Sequence, residues 1–322
     1  MPAAPEPDDA IGCLLGLALG DALGAPFEGR ARVDPSEVDR LVAGIGDLRW
    51  TDDTHMALTL ARALAAHGLT IDTEQLGDRF AAAYQREPWR GYGSGPPQVF
   101  ALAARGCSYP EAAARLFGGG GSFGNGGAMR CAPVAIAGFP DTVAIGELAA
   151  EQARVTHSHP EGLDGAVLLA TVVGLALATP ADQPLQLTAA ELDVTNLRSP
   201  ALQAAWRRLL AAAGHPDGGP PSPADELLAL AEGFGTSVPA RESVPAAVAI
   251  ALGGGDGVVE VIRAAISLGG DTDTVAAMAG AITGAHLGAA AIPSQLLARL
   301  EAREGITGSA LALVEAVRSR RG

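Results

Sequence analysis

Two aspartate clusters stand at opposite ends of the chain: Thr51-Asp52-Asp53-Thr54 and Gly269-Gly270-Asp271-Thr272-Asp273-Thr274. Each opens a run with helical character. Carboxylates and hydroxyls are hard oxygen donors that suit Mg²⁺ or Mn²⁺. Brought together by the fold, the two clusters would make a two-metal hydrolytic site. The ordinary alternative is helix capping, because Thr and Asp are favoured N-caps and acidic first turns complement the helix dipole. Capping asks for one polar residue per helix, so it does not account for paired aspartates in both places.

Three further segments carry chemistry. Ser122-Phe123-Gly124-Asn125-Gly126-Gly127 runs into a helix start, where glycine N–H groups can approach a phosphate and the helix terminus favours negative charge. A flexible surface turn is the plain alternative, and the spacing matches neither the Walker A nor the Rossmann pattern. Thr156-His157-Ser158-His159-Pro160 sets two imidazoles just before a helix. With no cysteine or third histidine close in sequence, zinc is a poor fit. A hydrogen bond from His157 to a phosphate or sugar hydroxyl is the sharper expectation. Arg90-Gly91-Tyr92-Gly93 is either an ordinary turn or a loop that touches a ligand.

Helices must position these groups. Apolar residues from Ile11 to Ala25 suggest a buried helix, with Gly12, Gly16, Gly20 and Gly24 as a smooth stripe for another helix to approach. Pro26 ends it and places Glu28 just beyond. Further helices are expected after Thr51 as far as Gly68, and over residues 73–85, 98–105, 144–154, 161–178, 201–213, 245–252, 258–268, 272–287, 293–303 and 308–318. An apolar run from 128 to 137 follows the glycine loop. Residues 89–97 read as irregular, 215–223 as a solvent loop, and 1–9 as a flexible tail. No alternating strand series appears, and no repeat of 20–50 residues is visible. The expectation is a single all-α domain whose functional loops come from distant segments.

Composition narrows the class. The chain has 322 residues, 48% hydrophobic and only 4% aromatic, so its core relies on close approach of small residues. Its net charge is −14, and all 22 basic residues are arginine. That charge argues against an extended nucleic-acid footprint, which needs dense positive charge. Cys13, Cys107 and Cys131 form no C-x-x-C pair, which fits a reducing cytoplasm. The acidic first residues do not read as a secretory signal, and the apolar run to Phe27, interrupted by Asp21, falls short of a bilayer span. No membrane partner is expected, and a monomer is the default.

Taken in order, Gly16-Leu17-Ala18-Leu19-Gly20-Asp21-Ala22-Leu23-Gly24, Thr51-Asp52-Asp53-Thr54, Arg90-Gly91-Tyr92-Gly93, Gly124-Asn125-Gly126-Gly127-Ala128-Met129-Arg130, Thr156-His157-Ser158-His159 and the stretch Leu268 to Ala276 resemble the ADP-ribosylglycohydrolase family. The resemblance implies an all-α fold, a single compact domain over 1–322 with orthogonal helices and a central binuclear metal cleft holding two Mg²⁺ or Mn²⁺ ions. It implies metal binding by Thr51, Asp52 and Asp53 from one side and by Asp271, Asp273 and Thr274 from the other. It implies ADP-ribose on an acceptor as substrate and ADP-ribose as product. The diphosphate would lie along Ser122, Gly124, Asn125 and Gly126, with Arg90, Gly91, Tyr92, Phe123 and His157 as further substrate contacts. Ala25-Pro26-Phe27-Glu28 looks like the loop that carries a catalytic, metal-linked glutamate in O-linkage hydrolases of the serine type.

The expected reaction is cleavage of the bond from C1″ of the distal ribose to its acceptor, with Glu28, Asp52, Asp53 and Asp273 as catalytic groups. O-linked acceptors are favoured over N-linked arginine. A two-metal phosphohydrolase acting on the diphosphate, and a non-catalytic ADP-ribose reader, remain open alternatives.

Overall fold

The computed structural model describes residues 4–187, 197–213 and 222–321. In chain order the helices are α1 (Pro7–Gly24), α2 (Pro35–Ala43), α3 (Asp52–Ala66), α4 (Thr73–Arg86), α5 (Gly95–Ala103), α6 (Tyr109–Ala114), α7 (Leu116–Gly119), α8 (Gly126–Met129), α9 (Ala132–Gly138), α10 (Thr142–Arg154), α11 (Pro160–Ala178), α12 (Pro200–Ala213), α13 (Ala224–Phe234), α14 (Ala240–Gly253), α15 (Val258–Ser267), α16 (Thr272–Leu287), α17 (Ser294–Leu297) and α18 (Arg303–Arg321). Among the described residues no β-ladder forms. Two isolated bridges, Leu48 with Leu300 and Gly124 with Pro239, tie loops together.

The glycine stripe organises the centre. α1 lies antiparallel on α16, with Gly12 against Gly284, Gly16 against Gly280, and Gly20 against Ala276. A Cβ on Gly16 or Gly20 would collide with a backbone carbonyl of the other helix. The stripe therefore lets two backbones touch, which offsets the cost of glycine inside a helix. At the end of the seam, Gly24 rests on Thr272 and Asp273, and the Thr272 hydroxyl donates to Gly24 O at 2.9 Å. Residues 248 positions apart in sequence are joined by this contact, and it fixes where α16 begins.

Both α1 and α11 are long and apolar enough to cross a membrane by length and hydropathy, with 83% of each such window buried inside the protein. Their apolar character serves one continuous hydrophobic core, into which α3, α9, α14, α15 and α18 also contribute.

The described helices match the all-α expectation, with local differences. Pro7–Asp9, expected in a tail, form the first turn of α1, where Asp8 accepts from Ala290 N at 3.2 Å. Residues 1–3 of that tail lie outside the described residues. Gly95, Pro96 and Pro97 begin α5 rather than remaining irregular, since proline is compatible with the first turn of a helix. The expected 293–303 helix is two pieces, α17 and the start of α18, separated by Ala302 at φ 55°. The apolar run 128–137 is likewise split between α8 and α9. α2, α6 and α13 were not foreseen. Most of the expected 215–223 loop lies outside the described residues.

Candidate metal and ADP-ribose cleft

Asp21 builds the floor of the site. It sits in α1 with no exposed surface, and its carboxylate accepts four hydrogen bonds from the segment that opens α3. Thr51 N and Oγ1 each donate to Oδ1 at 2.8 Å; Thr54 N donates to Oδ2 at 3.0 Å and Thr54 Oγ1 at 2.6 Å. The capping of α3 thus comes from another helix. Thr51 makes no side-chain cap of its own, and neither does Asp271 at the start of α16. Asp34, Asp72 and Asp141 do cap α2, α4 and α10 through their carboxylates. The chain uses ordinary aspartate caps elsewhere, so capping does not explain the two clusters.

Those clusters meet. One cleft is lined by Glu28, Asp52, Asp53, Asp271, Asp273 and Thr274. One carboxylate oxygen from each of Glu28, Asp271 and Asp273 lies within 4.8 Å of the others. Burial, then the charge of Asp21, pushes Asp52 up to about 8. Burial, then the Asp271 charge, pushes Asp273 up to about 9. Asp53 is raised well above the usual carboxylate range by burial and by Asp21, Asp273, Asp52 and Asp271 in turn. Glu28 is raised by partial burial and by Asp271. Crowded carboxylates of this kind lack positive charge.

Asp53 supplies the decisive atom. Its Oδ1 is buried and accepts no hydrogen bond among the described residues. A buried carboxylate oxygen left bare is costly unless a cation meets it. The donor set is entirely oxygen, so the residues present fit hard divalent cations.

The opposite wall is the glycine loop. It is pinned to residues 238–240 by Asn125 N to Val238 O and Ala240 N to Phe123 O, both at 3.0 Å. Asn125 is buried, and its Nδ2 donates to Asp271 Oδ2 at 2.7 Å and to Ser243 Oγ at 3.1 Å. The Asn125 amide hydrogens are therefore spent on orienting Asp271. Ser122, Gly124 and Gly126 line the cleft, as do Arg130, Thr156 and His157. Gly126 lies close under His157, since a Cβ there would stand 3.1 Å from the ring and press on it. Arg130 is fully buried, and burial pushes it down to about 10, still a cation at neutral pH. Burial, then the Arg130 charge, pushes His157 down to about 3, so its ring is neutral.

Comparison with known proteins shows the family. Residues 1–322 match the ADP-ribosylglycohydrolase family over the whole chain. The chain belongs to the ADP-ribosylglycohydrolase family. It is 34% identical to ADP-ribosylhydrolase ARH3 of Bos taurus over 314 residues, spanning 88% of this chain and 86% of that protein. It is 36% identical to ADP-ribosyl-[dinitrogen reductase] glycohydrolase of Rhodospirillum rubrum over 163 residues, 48% of this chain and 52% of that one. A solved structure described as an ADP-ribosylglycohydrolase-related protein complex matches with a TM-score of 0.67 at 29% identity, covering 97% of this chain and 98% of that chain.

Within this family member, several residues expected at the ligand are committed elsewhere. Arg90 stacks 3.7 Å from the Trp50 ring and donates to Glu87, Glu301 and Trp50 O at 2.7–2.9 Å. Its guanidinium locks three segments together instead of reaching the cleft. Tyr92 shares a 3.0 Å hydrogen bond with His55 Nδ1 and packs on Tyr84, also away from the lining. Gly91 does line the cleft, at φ 85°, with its missing Cβ 3.8 Å from Asp52 Oδ1. The Phe123 ring faces His159 and Arg241 on the outer side of the loop. Thr51 is bound to Asp21 and lies behind the lining rather than in it. Asp21 and Thr156 carried visible sequence signals, a lone acid in an apolar helix and a hydroxyl beside His157, but neither was singled out.

Proposed function

We propose that this protein is an ADP-ribosylglycohydrolase that removes ADP-ribose from a modified acceptor by hydrolysing the bond at C1″ of the distal ribose. The observation that carries the reading is the bare, buried Asp53 Oδ1 within a cleft where α1, α3 and α16 bring five further carboxylates and hydroxyls together. ADP-ribose release by relatives named for that activity supports the substrate class.

Asp52, Asp53, Asp271, Asp273, Thr274 and Glu28 would hold two divalent cations, Mg²⁺ or Mn²⁺. When bound, such ions lower the pKa of water and polarise ribose hydroxyls. The chain's own groups do the rest. Asp52 and Asp53 orient the attacking water and accept its proton. Glu28, raised by partial burial and by Asp271, would serve as acid or base toward the departing acceptor oxygen, or as a gate ligand. Charge developing at C1″ is stabilised by the surrounding carboxylates, as in other glycoside cleavage. His157 and the loop at Ser122, Gly124 and Gly126 hold the phosphates and ribose.

The position of Glu28, within reach of Asp271 and Asp273, favours O-linked acceptors, whose oxygen needs a proton on leaving. Three free cysteines, two of them buried, support a reducing cytoplasmic setting. The experiment is a panel of serine-linked and arginine-linked ADP-ribosylated peptides with Mg²⁺, with products separated by chromatography. Free ADP-ribose is expected. AMP would instead indicate hydrolysis of the diphosphate, and binding without turnover would indicate a reader. Glu28→Ala should lose serine-linked cleavage; an unaffected variant removes the O-linkage assignment.

A further inference from the structure

Thr156 Oγ1 has two hydrogen-bond partners among the described residues, Arg130 Nη2 at 2.8 Å and His157 Nδ1 at 2.8 Å. A guanidinium can only donate. The hydroxyl accepts from Arg130, and among the described residues Nδ1 is the one acceptor in reach of its single hydrogen, which favours donation to Nδ1. A ring nitrogen that accepts carries no proton, so the proton of the neutral imidazole sits on Nε2.

Arg130 is rigid enough to impose this order. Its Nε donates to Gln152 Oε1 at 2.8 Å, its Nη2 also donates to Gln152 O at 3.1 Å, and it lies 4.8 Å from the Phe80 ring centre. Gln152 Nε2 in turn donates to Gly127 O at 2.7 Å, which anchors the chain of bonds in the glycine loop. At the other end, His157 Nε2 has no hydrogen-bond partner among the described residues. It stands at the cleft wall beside Gly126, 3.4 Å from where a Cβ would be.

We propose that Arg130 and Thr156 are positioning residues that fix His157 in the Nε2–H form, so that it presents one neutral donor to an oxygen of bound ADP-ribose. This deepens the functional reading above and rests on it for the ligand. The relay explains why a cation is buried beside the carboxylate-rich cleft with no carboxylate in hydrogen-bond contact. Its Nε and Nη2 hydrogens are spent on Gln152 and Thr156, its Nη1 rests 3.7 Å from Met56 Sδ, and its charge opposes protonation of the ring. A protonated ring would make the Thr156 hydroxyl accept from both Arg130 and Nδ1 and leave its own hydrogen without an acceptor, and an Nδ1–H tautomer would leave Nε2 with no hydrogen to donate.

The test uses the full chain labelled with ¹⁵N-histidine, with the His157 signals assigned by their loss in His157→Gln. In ligand-free wild type, proton–nitrogen correlation should show Nε2 protonated and Nδ1 as a hydrogen-bonded acceptor. In Thr156→Val, which keeps the shape, the Nδ1 resonance should move to that of a bare acceptor. ADP-ribose affinity by calorimetry with Mg²⁺ should fall about tenfold. Thr156→Ser should recover both. A wild-type ring protonated on Nδ1 overturns the inference. So does a Thr156→Val protein of unchanged melting temperature whose Nδ1 resonance or ADP-ribose affinity has not moved. The ring measurement is made without ligand, so it stands separately from ADP-ribose binding by wild type, on which the functional reading depends.

Discussion

At the scale of the residue, Asp53 carries an oxygen that the fold buries and leaves without a hydrogen to accept. Asp53→Asn and Asp273→Asn remove negative charge from this cluster and should stabilise the cation-free protein. They should also lower turnover of an ADP-ribosylated peptide by more than about 10²-fold, read by ADP-ribose release. Retained turnover would show that neither carboxylate serves the reaction. The same crowding sets a pH dependence. Asp52 and Asp273 titrate near 8 and 9 in the folded chain, above the ~3.9 of an unfolded aspartate. Stability from their neutral forms is complete below about pH 4 and is lost as pH rises through 8 and 9. In EDTA, the urea midpoint should therefore be lower near pH 8 than near pH 5. A midpoint that rises across this window would contradict the burial of these charges.

At the scale of the element, the seam between α1 and α16 is what delivers the second aspartate cluster. Its contact is backbone to backbone, so a side chain has nowhere to go without moving a helix. Gly20→Val would drive atoms into the Ala276 carbonyl, and should cost at least about 1–3 kcal/mol in denaturant unfolding. It should also weaken Mg²⁺ binding, because the start of α16 shifts with the seam. Gly46 has open space around it and an ordinary φ, so Gly46→Ala should change stability by no more than about 0.5 kcal/mol. Equal effects of the two substitutions would mean that the seam is not tightly packed. Asp21 extends the same logic, since one residue of α1 organises the first turn of α3 through four hydrogen bonds.

At the scale of the whole molecule, the cleft joins α1, α3 and α16 to the glycine loop, so a cation held there should stabilise the entire fold. Saturation at 100 times the dissociation constant corresponds to about 2.7 kcal/mol. Mg²⁺ should raise the thermal midpoint at pH 8 and EDTA should reverse it, as calorimetry would show. The gain should shrink near pH 5, because ligands must be deprotonated to bind. A midpoint indifferent to Mg²⁺ at pH 8 would remove the metal from the native state.

Much of this protein is legible from its residues taken in order. The α16 boundaries, the glycine stripe and the two aspartate clusters follow from local pattern, since helical period, small side chains and acidic doublets act over a few neighbours. What the sequence could not settle is where long side chains end. Arg90 and Tyr92 sit in a motif beside Gly91, yet only Gly91 lines the cleft, because Glu301 and Trp50 from distant segments capture the guanidinium and His55 captures the phenol. Asn125 turns inward to Asp271 for the same kind of reason. Chain order therefore determines which groups are available and which helices carry them. Their partners are decided only by tertiary packing, because a hydrogen bond or ion pair depends on distance in space, and residues 21, 52 and 273 become neighbours only after α1 and α16 close on one another.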